Sequence, residues 1–510
     1  MKNANVFAAL RAAFPADLDA VAIECADGHG LSYSWRDIER ATAMMANLLT
    51  SLDLPAGSRV AVQTEKSVEA LMLYLAVLRA GYVFLPLNTA YQAAEIEYFI
   101  ANAEPAVVVC AGRNFGWVSK IAFQAGTQNV FTLNEDRTGT LLDRAAAMSD
   151  QHQPASRHAD ELAAILYTSG TTGRSKGAML SHGNLLSNAQ TLKDYWGWRP
   201  GDVLIHALPI FHVHGLFVAS HGALLNGSKM IWFSKFDPRA VIARFAEATV
   251  FMGVPTLYVR MLGEAALTQA ACKTMRLFIA GSAPLLLETF KDWQSRTGHT
   301  ILERYGMSET VMLTSNPYRA EDGDRLGGTV GFALPGVGVR VRDEQGRDCG
   351  PEEIGNIEVS GPNVFAGYWR MPEKTKEEFT ADGWFKTGDV GKRDARGYFT
   401  IVGRSKDLII SGGYNVYPAE IEGYINEMAG IAESAVIGLP HPDFGEGAVA
   451  VVVAKPGAAV DGEAIITTLK SKIANFKIPK KIFVVAELPR NTMGKVLKNQ
   501  LREQHKALFA

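Results

Sequence analysis

Four cysteines in 510 residues (Cys25, Cys110, Cys272, Cys349) are too few and too scattered for a disulfide scaffold, and none forms a CxxC pair of the kind that grips zinc. They suggest a reducing compartment, the cytoplasm. Neither sign of charge is in excess, since 51 Lys and Arg stand against 53 Asp and Glu. That balance speaks against a nucleic-acid-binding protein, which carries a basic surplus. Long apolar runs are also missing. The greasiest stretch, 70–87, is interrupted by Arg79 and Gly81 and does not read as a membrane span. The opening MKNANVFAALRAAFPADLD is broken by Arg11 and Pro15 and lacks the features of a secretory signal. What is present, 47% hydrophobic and 20% charged residues, is the composition of a globular protein long enough for two or more domains.

Short β-branched runs alternate with helical patterns through the first two-thirds of the chain. Strands are expected at 59–62, 82–87 and 106–110, with helices at 67–80 and 93–103 between them. The rhythm resumes with strands at 163–167, 203–205, 229–233, 250–252 and 277–279. Strands separated by helices of this length imply βαβ crossovers and largely parallel sheet. The polar stretch 149–161 reads as a linker between two such α/β halves. After about Arg325, Gly-punctuated short strands (VGFALPGVGVRV, GNIEVSG) point to a smaller β-rich part. The expected fold is thus α/β: a large N-terminal domain, 1–403, and a small mobile α+β domain, 404–510. Charge is uneven in the latter, with ten Lys or Arg against two Asp or Glu between Lys470 and Lys506, either a solvated face or a surface for a polyphosphate ligand.

Four segments carry chemistry. In YTSGTTGRSKG, 167–177, the glycines at 170, 173 and 177 allow tight turns that aim backbone N–H groups inward, while Thr168, Ser169, Thr171, Thr172 and Lys176 add hydroxyls and a charge. Read as a turn between a strand and a helix, this suits phosphate, although its spacing is not GxxxxGK[ST]. RYGMSET, 304–310, offers an aromatic ring and the Glu309 carboxylate, the hard oxygen that Mg2+ demands beside a triphosphate. KTGD, 386–389, and GRSKD, 403–407, place Asp389 to accept from ribose hydroxyls. PRNTMGK, 489–495, presents Lys495 from a Gly-containing loop.

In order and content these segments resemble the adenylate-forming superfamily of acyl-CoA synthetases, peptide-synthetase adenylation domains and luciferases, over essentially the whole chain. Longer runs (PIFHVHGLF, RLFIAGSAPL, ILERYGMSET, GPNVFAGYWRMPEKT, HPDFGEG, LPRNTMGK) resemble the malonyl-CoA synthetases within it. The resemblance implies that Thr168, Ser169, Gly170, Thr171, Thr172, Gly173 and Lys176 cradle the ATP phosphates, with Ser175 where the family usually has Pro. It implies adenine held by Gly281, Ser282, Ala283 and Tyr305, the α-phosphate by Thr310, and ribose by Asp389 and Arg404. Glu309 and Thr168 are the implied Mg2+ ligands, Lys406 the hinge, and Ser411, Gly412 and Gly413 the coenzyme A loop. Lys495 is the implied catalytic lysine, bridging carboxylate and α-phosphate, and a lysine acetyltransferase acting on it is an implied partner. The implied reaction joins malonate, with methylmalonate tolerated, to coenzyme A through an acyl-adenylate, releasing AMP and pyrophosphate.

A diacid needs a cation, because a lone buried carboxylate is costly. The resemblance points to Arg260, in VPTLYVR, with Ser282 adding a hydroxyl, His212 gating the pocket and Met307 limiting its depth. Three alternatives stand beside this reading. One is a ligase for another short acid, and another is a carrier-linked adenylation domain. The third is a metal hydrolase using His206, His212 and His214, although HVH on a strand would lack the carboxylate-rich surroundings of such sites.

Overall fold

The computed structural model describes residues 3–26, 30–168, 175–411, 414–491 and 494–509. Two large sheets dominate. One is seven-stranded in the order Gly367–Tyr368, Lys176–Ser181, Leu162–Thr168, Val83–Pro86, Arg59–Gln63, Val107–Cys110, Asn129–Thr132. Its last five strands run parallel, as the alternation of strand and helix requires. The other is nine-stranded and centres on the parallel strands Leu302–Met307, Leu277–Ala280, Val250–Gly253, Val203–His206 and Lys229–Trp232.

The helix Val68–Ala80 shows why the two sheets stack. Its residues 68–79 are all buried, including Glu69 and Arg79, so it is apolar nearly all round and lies within the core. Ser67 caps its start by accepting from the Ala70 N–H, and Gly81 ends it in the left-handed conformation. Buried Arg79 gives hydrogen bonds to Glu39, Thr42 and the His152 carbonyl, which ties the 149–161 segment onto the core.

The β-rich part is a four-stranded antiparallel sheet, Gly338–Arg342, Gly355–Ser360, Phe385–Arg393 and Phe399–Arg404. A single 3-10 turn, Ser405–Asp407, then carries Lys406 into the C-terminal sheet. There the long hairpin Ile431–His441 and Gly445–Ala454 packs under the helices Pro418–Asn426 and Gly462–Lys470. No described helix is long and apolar enough to cross a membrane.

Two local expectations are corrected. The segment after Leu162–Thr168 leads into an antiparallel strand, Lys176–Ser181, and the helix starts only at His182, so it joins two strands rather than strand and helix. The hydroxyl-rich spacing was legible, whereas the apolar Gly177–Leu180 run pairs with its neighbour across the sheet. The HVH segment is not a strand either. His214 opens a buried π-helical turn, His214–Ala219, packed into the core.

Candidate active site

Ser282 follows the strand Leu277–Ala280 and Tyr305 and Met307 end Leu302–Met307, so these candidates lie at the C-terminal ends of parallel strands, while Asp389 and Arg404 come from the antiparallel sheet. Asp389 and Arg404 face each other across paired strands, and Arg404 Nε meets Asp389 Oδ1 at 2.6 Å. The Tyr305 hydroxyl donates to the other oxygen of Asp389. Asp389 is 3% exposed, so its carboxylate is fixed by these two partners before any ligand arrives. Burial opposes the Arg404 charge, but Asp389 and the neighbouring Tyr305 and Glu309 outweigh it and hold the guanidinium pKa above its usual value.

Thr310 and Glu309 sit on the next turn. The Thr310 hydroxyl is buried and has no hydrogen-bond partner among the described residues. Val311 follows with φ +57°, a left-handed conformation that costs a β-branched residue ~1–3 kcal/mol and keeps the turn tight. Burial lifts the Glu309 carboxyl above the usual range, partly countered by its own backbone N–H and by the Tyr368 hydroxyl, which donates to it at 2.9 Å. The Tyr368 ring also carries the Lys176 ammonium 4.3 Å from its centre, and Lys176 pairs in register with Thr168. Thr168, Lys176 and Glu309 are therefore brought to one place. Ser169, Gly170, Thr171, Thr172 and Gly173 lie outside the described residues, as do Gly412 and Gly413. Ser411 is buried at the end of the strand Ile409–Ser411.

Lys495 enters from the C-terminal part. Its loop is a turn closed by Asn491, whose side chain accepts from the Lys495 N–H at 3.0 Å. The side chain keeps solvent contact in the open cleft, yet protein on several sides lowers its pKa, with Arg404 adding to that and Asp389 and Glu309 opposing it. Lys495 is thus within electrostatic reach of Asp389, Arg404, Glu309 and, on the far side, His212.

A third group was hidden from sequence reasoning. Arg304 is 3% exposed, and its Nε and Nη2 are buried without any partner among the described residues. Burial drives its pKa down to about 9, so it stays charged at neutral pH. Gly281 makes room for it: a Cβ there would lie 2.5 Å from Arg304 Nη1. Ser282, held at φ +73° just after the strand Leu277–Ala280, approaches His214 of the π-helical turn, with its Oγ 3.3 Å from His214 Nδ1. Burial, then Lys495 and Arg304, push His212 down to about 3, while burial and Arg304 keep His214 neutral as well. Beside these neutral imidazoles the Arg304 charge has no carboxylate partner among the described residues. Arg304 stands in the ILERYGMSET run, but an arginine before an aromatic carries no sequence sign of burial.

Arg260 stands at a cavity that the Lys495 loop also lines, through Asn491 and Gly494. It is exposed near the end of the helix Pro255–Leu262, 4.8 Å over the Phe236 ring, and lines that cavity of about 540 Å3 with Lys66, Phe211, Thr256 and Arg490. Met307 ends its strand, half-buried against the core. The three histidines do not converge as a metal set. His206 is stacked on Trp232 and bonded to the Gly215 carbonyl, and no cluster of three ligand side chains among the described residues could hold a metal ion.

Residues 10–369 match the AMP-binding enzyme family, and residues 420–495 match the AMP-binding enzyme C-terminal domain. The chain is 55% identical to ATP-bound MatB from Rhodopseudomonas palustris over the full length of both chains, with a TM-score of 0.96. It is 34% identical to a malonate–CoA ligase of Arabidopsis thaliana, across 88% of this chain and 78% of that protein. Against the mitochondrial malonate–CoA ligase ACSF3 of Mus musculus the identity is 35%, across 88% of this chain and 81% of the other.

Proposed function

The chain belongs to the AMP-binding enzyme family, and on that premise we propose that it is an AMP-forming acid–thiol ligase that joins malonate to coenzyme A at the expense of ATP. The observation that carries the choice of acid is Arg304, a buried guanidinium with unpaired N–H groups beside Ser282 and His214. An unpaired buried charge is costly, and a second carboxylate on the substrate offsets that cost where an apolar acyl chain would not.

One carboxylate of malonate is held by Arg304 and Ser282, and the other is left facing the α-phosphorus of ATP. Thr310 donates its buried hydroxyl to the α-phosphate, and Asp389 accepts from the ribose hydroxyls. The Gly281–Ala283 turn and Tyr305 border the base. Oxygen donors at Glu309 and Thr168 suit a Mg2+ ion, which when bound neutralises phosphate charge. Lys495 spans carboxylate and α-phosphate, so its ammonium stabilises the charge that builds up as the carboxylate oxygen attacks and pyrophosphate leaves. The product is malonyl-adenylate.

In the second half-reaction the thiol of coenzyme A attacks the acyl carbon and AMP departs. Lys495 has no part in that step, and rotation about Lys406 withdraws it while bringing the Ser411–Gly413 loop to the cleft. Two chemistries then share one site through domain alternation. The cavity lined by Arg260 opens beside His212's neighbour Phe211, and Arg260 is placed to meet the diacid as it enters. Acetylation of Lys495 would remove the charge that the first step needs. Cys110, Cys272 and Cys349 are thiols, which fits a reducing setting such as the cytoplasm.

A pyrophosphate-release screen over acetate, malonate, methylmalonate, succinate and a fatty acid tests this reading. Malonate is expected to give the highest kcat/KM, with methylmalonate second. Equal turnover of acetate and malonate would remove the role given to Arg304.

A further inference from the structure

At the opposite edge of the nine-stranded sheet, four arginines share one hollow, three of them over the Tyr318 ring. Arg199, Arg276, Arg319 and Arg325 line a surface hollow of about 640 Å3 together with Tyr318 and Glu321. Arg276 immediately precedes the strand Leu277–Ala280, and Arg199 precedes Val203–His206, so the hollow lies at the N-terminal ends of the parallel strands. The candidate active site is at their C-terminal ends, a strand of four residues or ~13 Å away at least.

The hollow is built rather than incidental. Tyr318 is its pivot: the guanidinium carbons of Arg199, Arg276 and Arg325 lie 6.0, 5.2 and 5.6 Å from its ring centre. Its hydroxyl accepts from Arg199 Nη2 at 2.8 Å. Gly197, at φ +57°, lets the ring close in, since a Cβ there would stand 2.5 Å from Tyr318 Cε1.

Charge compensation is incomplete. Arg276 is held by Asp202 through a forked ion pair. Arg325, part-buried, gives its N–H groups only to carbonyl oxygens, those of Pro317, Thr300 and Tyr318. Burial accordingly lowers its pKa. Arg199 and Arg319 are exposed, and neither has a carboxylate partner among the described contacts. Three guanidiniums thus point their charge into one hollow that contains a single further carboxylate, Glu321. With three guanidinium carbons within 6.0 Å of its centre, the Tyr318 ring is engaged by cations rather than offered to a base. A compact oxyanion with several acceptor oxygens is what forked guanidiniums recognise best.

We propose that this hollow is a binding site for a phosphate-class anion, separate from the catalytic cleft. The test is calorimetric titration of the full-length protein with its cleft occupied by ATP and Mg2+ in the absence of any acid substrate. Sodium phosphate and sodium pyrophosphate are the probes in separate arms, with sodium chloride at matched ionic strength as the control. One saturable equivalent of a phosphate probe is expected on the wild type, weakened at least tenfold in Arg199→Ser/Arg319→Ser, whose malonate-dependent kcat stays at the wild-type value. Pyrophosphate binding tighter than phosphate would assign the site to the reaction's own product, and equal binding to free phosphate; both uphold the site. Absence of saturable binding, or equal affinity in the double variant, would overturn the proposal.

Discussion

Tyr368 holds two parts of the candidate site at once: its hydroxyl donates to Glu309 at 2.9 Å, and its ring carries the Lys176 ammonium at 4.3 Å. The residue stands on the short strand Gly367–Tyr368, which pairs with the strand that bears Lys176. Lys176 and Glu309, which belong to different sheets, are thereby held beside each other.

Tyr368→Phe keeps the ring and removes the hydrogen bond. A hydrogen bond to a charged group is worth ~1.5–3 kcal/mol, so kcat/KM for MgATP should fall roughly tenfold to a hundredfold, by about tenfold per 1.4 kcal/mol. Steady-state kinetics with MgATP and then malonate varied would show the loss concentrated in the nucleotide; equal loss in both would deny Tyr368 this positioning role.

Arg304→Leu should lower kcat/KM for malonate by roughly 10- to 150-fold, the loss of ~1.5–3 kcal/mol from a buried charged contact. Acetate, which has no second carboxylate, should be affected much less. Arg260→Leu, at an exposed cavity rim, should cost between roughly threefold and tenfold, an exposed charge being worth ~1 kcal/mol or so. A loss below threefold would exclude Arg260 from handling the acid.

Lys495→Ala should abolish pyrophosphate release yet leave the conversion of supplied malonyl-adenylate and coenzyme A to thioester near the wild-type rate. Rapid-quench assays of the two half-reactions separate these outcomes. Parallel loss of both would show that the lysine serves the whole cycle.

Glu303, beside Arg304, is 7% exposed, and burial pushes its carboxyl up to about 8, with only the Gly328 N–H countering. A carboxyl raised on folding binds its proton more tightly in the native state, so it weakens the fold as pH rises from about 4.5 to 8. At about 1.4 kcal/mol per pKa unit the full effect is on the order of a few kcal/mol. His182, pushed down to about 4 by burial, acts in the other direction below pH 6.5. Thermal melts of wild type and Glu303→Gln should therefore coincide near pH 5 and separate progressively toward pH 8, with the variant the more stable. Parallel curves would mean that Glu303 is ionised in the fold throughout.

Much of the α/β frame was readable. The helix expected at 93–103 is Ala93–Ala103, and the strand expected at 59–62 is Arg59–Gln63, because apolar periodicity and Gly or Ser punctuation are local properties. Asp389 and Arg404 were readable as parts of two motifs, and pairing of the strands Phe385–Arg393 and Phe399–Arg404 then placed one against the other. The hydroxyl-rich loop was recognised, but its continuation was misread as helix, since pairing with Leu162–Thr168 is a long-range choice.

Composition, periodicity and motif order determined the class of fold, the separate C-terminal unit and the residue types available for handling a nucleotide, since each depends on neighbours along the chain. Burial and partner geometry were decided only in three dimensions. Arg304, Glu303 and the arginines around Tyr318 look like ordinary surface charges in the sequence. Packing alone removes water from the first two and gathers the others at a sheet edge, and desolvation, which sets what a charge can bind, is a property of that packing.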